Sequence, residues 1–286
     1  MTTATHAGHA ARLDLGKRVS PGTTVRNVLT LAWRNLVQIK HNPMELIDLS
    51  IQPIMFVLLF AYVFGPSIGG TVDGYLPIVI PGIIAQNALF ATMTTGFGLN
   101  VDVTKGVFDR LRSLPISRLA PLSGRMLADM VKQVWSMAVL LVVGFLIGFR
   151  IDTGPLQTLG ALALLLAFTS LFAWASVFIG LAVGEPEKVQ IFGFTIIFPI
   201  TFLSSAFVPI SDRAPDVLQF IMRNNPMTHL VEAVRGLLVG DQSTGALANH
   251  QSGGSVAEHA VIALAWGALI AAIFIPLAMR AFKRRA

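Results

Sequence analysis

The stretch "LPIVIPGIIAQNALFATMTTGFGL", residues 76–99, runs for 24 residues without a charged side chain. A helix needs roughly 20 consecutive apolar residues to cross the hydrocarbon core of a bilayer. Working outward from it, we find about six stretches that meet this requirement: 46–64, 76–99, 126–149, 159–183, 189–210 and 260–279. The fourth and fifth are separated only by "GEPEK", which reads as a tight hairpin. Pro53, Pro81, Pro199 and Pro276 fall inside these stretches, where they can kink a helix or free a carbonyl that neighbouring protein must then satisfy. The predicted fold class is therefore an all-α membrane protein with six transmembrane helices.

Composition agrees. The chain has 286 residues, 54% hydrophobic and 13% charged, with net charge +6. A soluble domain carries about 25% charged residues. In such a chain the basic excess is read first as flanking helix ends on the cytoplasmic side, not as a nucleic-acid surface. Lys and Arg crowd the segments 12–40, 105–125 and 280–285, whereas the loop "GPSIGGTVDG" after the first span has no basic residue. That asymmetry predicts both termini inside a bacterial plasma membrane. Residues 1–23 read as a disordered, mildly basic lead-in rather than a signal peptide. Residues 24–280 read as one transmembrane domain, with 281–286 a basic tail. There is no cysteine, so disulfides and thiolate chemistry are excluded.

Three shorter pieces are amphipathic. In "TVRNVLTLAWRNLVQIK", residues 24–40, Val25, Val28, Leu29, Ala32, Leu36 and Ile39 share a helical face, with Arg26, Thr30, Arg34 and Lys40 off it. This pattern suits a helix lying in the membrane plane, or one packed on another domain. Asn42, Pro43 and Glu45 then supply the signals that start a new helix. The second piece is "TKGVFDRLRSLPIS", residues 104–117. Val107, Leu111 and Leu114 form a stripe with Phe108 beside it, while Asp109, Arg110 and Arg112 point away. It is too short to span and too polar for lipid. It reads either as a basic loop on anionic headgroups or as a helix docking into a partner's groove. The third, "APDVLQFIMRNNPMTHLVEAVRGLLVG", holds two segments divided by Asn225 and Pro226. Met227, Leu230, Val231, Val234 and Leu237 share a face opposite Glu232 and Arg235, as in a re-entrant pair or an extracellular helical hairpin. "DQSTGALANHQSGGS" after it reads as a flexible loop.

No nucleotide-binding loop of the form G-x-x-x-x-G-K-[ST] occurs, nor an H-E-x-x-H zinc signature. The histidines are scattered, so neither a metal nor a cofactor is expected in this chain. Charges within or beside spans stand near the inner edge. Asp129 and Lys132 are one turn apart and spaced to pair. The small-residue spacings Gly144–Gly148 and Gly180–Gly184 can let helices approach closely.

Three passages carry a resemblance. "KGVFDRLRSLPIS" resembles the cytoplasmic coupling helix of permease subunits in the ABC type-2 exporter family, nearest to its daunorubicin-resistance branch. "FLSSAFVP" with "NNPMTHLVEAVRGLL" resembles that family's passage from span five into its outer re-entrant segment, and "HNPMELIDLSIQPIMFVLLFAYVFG" resembles its first span. The likeness covers roughly residues 24–240. Where many relatives begin the coupling segment with a glutamate-rich run, this chain has "DVTKG", as in the drug-exporter branch.

The resemblance implies a half-transporter that pairs with a second permease, a copy or a paralogue, and docks on a separate ATP-hydrolysing subunit. ATP and magnesium would be held by that partner. The coupling contacts would be Lys105, Val107, Phe108, Asp109, Arg110, Leu111, Arg112 and Leu114. Gln52, Asn87, Phe198 and Phe202 would line the path of a small hydrophobic or amphipathic substrate among membrane lipids. Asn225, Pro226, Glu232 and Arg235 would form the outer re-entrant motif. Two other classes stay open on the residues alone. An intramembrane lipid-modifying enzyme would use Asp102, Asp109, Asp129 or Lys132. An ion-coupled secondary transporter would show inverted repeats, and none is evident.

Overall fold

The computed structural model describes residues 21–41, 44–107, 120–211, 213–240 and 254–285. The lead-in, most of the coupling segment (residues 108–119) and most of the predicted flexible loop lie outside the described residues.

Every regular element among the described residues is helical. The elements are α1 (Pro21–His41), α2 (Met44–Leu59), a π-helical turn (Phe60–Phe64), α3 (Gly65–Ile68), α4 (Val72–Thr104), α5 (Ala120–Leu146), α6 (Pro155–Ala182), α7 (Pro186–Phe202), α8 (Asp216–Arg223), α9 (Pro226–Val239) and α10 (Val256–Arg285). Among the described residues, five stretches are long and apolar enough to cross a membrane: Ser50–Ile68, Val72–Thr104, Pro121–Leu146, Pro155–Ala182 and Val256–Phe282. The chain is a multi-pass membrane protein.

α4 is the axis of the bundle. It packs against α2, α5, α6, α7 and α9. It is also the most buried of the five spans, so most of its surface faces protein. Thr71 caps its start by accepting from the Gly74 amide at 3.0 Å. Its far end stops at Gly106, whose φ of 67° no β-carbon residue adopts readily. Tyr75, Ile80, Ile83, Ile84 and Leu89 of α4 form one core with Leu165 and Phe168 of α6 and with Met227, Leu230, Val231 and Val234 of α9. A second, smaller core at the other end joins Leu99, Leu122, Val177, Leu181, Ala278 and Phe282.

Glycines set the closest helix crossing. A β-carbon on Gly96 of α4 would lie 2.9 Å from the Ser176 carbonyl carbon, and one on Gly180 would lie 2.9 Å from that of Gly96. Of the predicted small-residue spacings, Gly180 serves this α4–α6 contact. Gly184 meets nothing, and Gly144 is in ordinary contact.

One expectation changes. The fifth stretch does not run helical to residue 210. α7 ends at Phe202, and 203–210 is irregular backbone in which residues 204–207 and Ile210 are buried while Leu203 and Val208 are exposed. In α1, only part of the apolar face packs on α5. Ala32 is buried, and Leu31 with the Val28 carbonyl closes on Gly124 of α5, while Val25, Leu29 and Trp33 stand exposed. The apolar set of α1 thus divides between α5 and the surroundings.

Candidate functional site

Two features stand out against the apolar bundle. One is a cavity of about 1110 Å³ between α2, α4, α5, α6 and α7. The other is the break after α7.

The cavity wall mixes polar and apolar side chains, and the polar ones come from every helix around it. Gln52 comes from α2, Asn87 and Thr94 from α4, Gln133 and Ser136 from α5, Thr169 from α6, and Gln190 and Thr195 from α7. Several of these tie helices together. Asn87 donates to Ser136 at 2.8 Å, and Gln133 donates to Thr169 at 3.1 Å and to the Ala88 carbonyl at 3.3 Å. Inter-helix polar bonds of this kind hold spans together where no hydrophobic drive exists between them. Charge gathers at one end, where α4 finishes and α5 begins. Arg125 pairs with Asp102 at 2.7 Å and lies 3.9 Å from Asp129, which in turn lies 3.7 Å from Lys132. Lys105 lines the same end. Phe90, Met93, Phe97, Met130, Ile191 and Phe194 are among the apolar side chains of the wall.

From there an aromatic ladder leaves the cavity. Ring centroids follow one another from Phe90 to Phe194 (5.9 Å), Phe198 (5.1 Å), Phe202 (4.2 Å), Phe207 (5.0 Å) and Phe60 in the π-turn (4.5 Å). Of the four residues expected along a substrate path, Gln52 and Asn87 are on the cavity wall. Phe198 and Phe202 stand outside it as rungs of this ladder, each more than a third exposed. Of the expected coupling residues, Lys105 and Val107 are described, Val107 lying beside Leu31, Leu99 and Arg125. Phe108, Asp109, Arg110, Leu111, Arg112 and Leu114 lie outside the described residues.

The break after α7 explains the motif at Asn225. Non-helical backbone at membrane depth persists only where protein satisfies its polar groups. Here Asn225 Nδ2 donates to the carbonyls of Ile200 (2.7 Å) and Leu203 (2.6 Å), while its Oδ1 caps α9 by accepting from the Met227 amide at 2.8 Å. Pro226 fits the first helical position, which needs no amide donor. Arg235 donates to the carbonyls of Ser205 (3.0 Å) and Ile78 (3.3 Å), and pairs with Glu232 at 2.8 Å. The Thr228 hydroxyl accepts from the Ser205 amide, and the Tyr75 hydroxyl donates to the Phe207 carbonyl at 2.7 Å. Glu232 and Arg235 therefore face the break, not solvent.

One further pair joins α9 to α10. His229 Nδ1 lies 2.9 Å from His259 Nδ1, so one ring donates and the other accepts. Burial lowers the pKa of His229 below the usual 6.5, the neighbouring His259 lowers it further, and Glu232 and Glu258 oppose this. A group depressed in this way contributes stability that is fully present above its unfolded pKa and is lost as pH falls through the folded one. The melting temperature should therefore fall on going from about pH 7.5 to about pH 5.5. Replacing His229 by Gln should flatten that fall. An unchanged profile in His229→Gln would mean that other groups carry it.

These features define a helical multi-pass membrane protein whose core holds a chamber of mixed polar and apolar lining. The sequence profile of ABC-2 type transporters matches residues 26–239. A daunorubicin resistance ABC transporter permease protein of Streptomyces coeruleorubidus is 34% identical over 96% of this chain and 92% of its own length. A putative transport permease of Cyanophora paradoxa is 25% identical over 74% of each chain. A doxorubicin resistance ABC transporter permease protein of Mycobacterium tuberculosis is 27% identical over 47% of this chain and 48% of its own. The chain belongs to the ABC-2 type transporter family, and it is a transporter permease.

Proposed function

We propose that this permease carries amphipathic molecules out of the cell, with energy from a separate ATPase subunit. The observation that carries the reading is a cavity with amide and hydroxyl groups on its wall, from which a run of phenyl rings in contact leads away. A polar headgroup suits the amide- and hydroxyl-lined chamber, and a flat apolar body suits the ladder of Phe194, Phe198 and Phe202. The related permeases named for daunorubicin and doxorubicin support substrates of this shape.

In this reading residues 24–280 form one transmembrane domain. α7, at 17 residues, completes a sixth crossing together with the partly buried segment that follows it. α1 lies along the inner membrane surface with Trp33 and Leu29 toward lipid. α8 and α9 cover the outer side, and both termini are cytoplasmic. A second permease faces the exposed side of α2 and α7. ATP and magnesium belong to the ATPase, which grips the segment between α4 and α5. The acids of the cavity are engaged in ion pairs with Arg125 and Lys132, an arrangement that favours transport over an enzymatic use of Asp129.

The test is ATP-dependent uptake of doxorubicin into inverted membrane vesicles holding this permease and its ATPase. Phe108→Asp and Leu111→Asp should each abolish uptake and stimulated ATP hydrolysis while the permease remains inserted. Uptake that persists in both variants would remove the docking assignment. Absence of ATP-dependent uptake of doxorubicin and of fluorescent phospholipids alike by the parent would remove the export reading.

A further inference from the structure

We propose that Arg125 is a positioning residue for transport: it ties the inner ends of α4 and α5 into one unit, so that motion of the segment joining them reaches the cavity wall. The inference rests on the transporter reading above.

The two helices flank the joining segment in the chain. α4 finishes at Thr104 and α5 starts at Ala120. On its other flank α4 is already fixed to α6. Gly96 and Gly180 bring the backbones together, and Asn100 Nδ2 donates to the carbonyls of Gly180 (2.7 Å) and Val183 (2.6 Å). On the α5 flank at this end, the Asp102–Arg125 bond at 2.7 Å is an ion pair that crosses from one helix to the other. Two further ion pairs of the cluster, Arg125–Asp129 and Lys132–Asp129, run along α5 itself. The first sets the Asp129 carboxylate beside the guanidinium, 3.9 Å from Nε and beyond hydrogen-bond distance.

The packing shows that the crossing is built in. Arg125 lies flat against α4 over Gly98. A β-carbon there would stand 3.0 Å from Nε and closer still to Cζ and Nη2. Any larger residue at position 98 displaces the guanidinium from Asp102. The pair is half-sheltered, with Arg125 and Asp102 side chains 22% and 29% exposed, so solvent and salt weaken it less than a surface pair. It also forms the charged end of the cavity. Without it, α5 can lean away from α4, and a push on the joining segment is spent in separating the two helices rather than in moving the wall.

The chain has no cysteine, so spin labels can be placed on Thr104→Cys and Ser123→Cys in the assembled transporter. The label-to-label distance in the parent should be single and narrow. Arg125→Gln should broaden it, and so should Gly98→Ala, which moves the guanidinium without removing charge. Doxorubicin uptake per inserted permease should fall about tenfold in each variant, the scale of a coupling between distant sites. The exchanged pair, Asp102→Arg with Arg125→Asp, puts the cation on α4 and leaves it facing two carboxylates on α5, the introduced one and Asp129. It should restore both the narrow distance and uptake to within about threefold.

A narrow distance with full uptake in Arg125→Gln overturns the proposal. So does a broadened distance with normal uptake, or an exchanged pair that inserts yet restores neither readout. Should the parent show no ATP-dependent uptake at all, the transporter reading fails, and the label distances still decide whether Arg125 joins the helices.

Discussion

Gly82→Ala should destabilise the permease by about 3 kcal/mol, the upper range for forcing atoms into a packed interior. Gly82 lies within α4 where the buried backbone after α7 crosses it. A β-carbon would stand 2.7 Å from the Ala206 carbonyl carbon, 3.0 Å from its Cα, and nearer still to its oxygen. These are backbone atoms, so no rotamer change relieves the overlap. The segment cannot retreat cheaply either. Its neighbours are held by Thr228 and Arg235 on Ser205, by Ser204 on the Ala206 amide, and by Tyr75 on Phe207. Each bond lost in a retreat adds about 1 kcal/mol. Gly144→Ala is the contrast: its β-carbon would meet Ile80 and Phe149 at 3.5 Å, ordinary contact. There the usual helix preference for Ala, about 0.5–1 kcal/mol, should appear as a small gain. Thermal melting in detergent, followed by helical circular dichroism, distinguishes the two. A Gly82→Ala protein that melts with the parent would mean that the segment after α7 does not cross α4 this closely.

That crossing also marks the limit of what hydropathy could read. Crossing helices are legible as runs of apolar residues, and residues 76–99 fell wholly inside α4. The division at Asn225 and Pro226 was legible too, because an amide side chain that caps and a residue that lacks an amide donor announce a helix start. The end of α7 was not. Leu203, Ala206, Phe207, Val208 and Ile210 are as apolar as a span: Ala206, Phe207 and Ile210 are buried in protein, and Leu203 and Val208 stand on the outer surface of the bundle. Its only local hints were Ser204 and Ser205 and the bias against helix before Pro209. The partners that make the break tolerable, Tyr75 and Arg235, lie far off in sequence. The same holds for the cavity. Asp129 with Lys132 is a spacing along one helix, whereas Asp102 with Arg125 joins two helices, and no periodicity reports it. For α1, the pattern gave an apolar face but could not tell which edge of it α5 would cover.

Arg235→Met should be the most damaging single change in the outer half, at about 4 kcal/mol, because it removes one member of a buried charge pair and leaves the other. The side chains of Arg235 and Glu232 are 9% and 7% exposed. After the substitution the Glu232 carboxylate has lost its counter-ion, and the Ser205 carbonyl has lost its Arg235 donor. Glu232→Gln is milder, about 1 kcal/mol, since the guanidinium keeps a neutral acceptor and both of its carbonyl partners. Combining Glu232→Leu with Arg235→Met should recover part of the loss, because no charge is then stranded in an apolar surrounding. Recovery should stop short of the parent, since the Ser205 carbonyl at the end of the broken span still lacks its donor, a deficit of about 1–3 kcal/mol. The expected order of melting temperatures is therefore parent, Glu232→Gln, the double variant, then Arg235→Met. A double variant that melts below Arg235→Met would show that the carboxylate has its own role at the break, independent of the arginine. Equal melting of Arg235→Met and the parent would show that the carbonyls after α7 do not depend on this guanidinium, and the account of how the span can end inside the protein would fall with it.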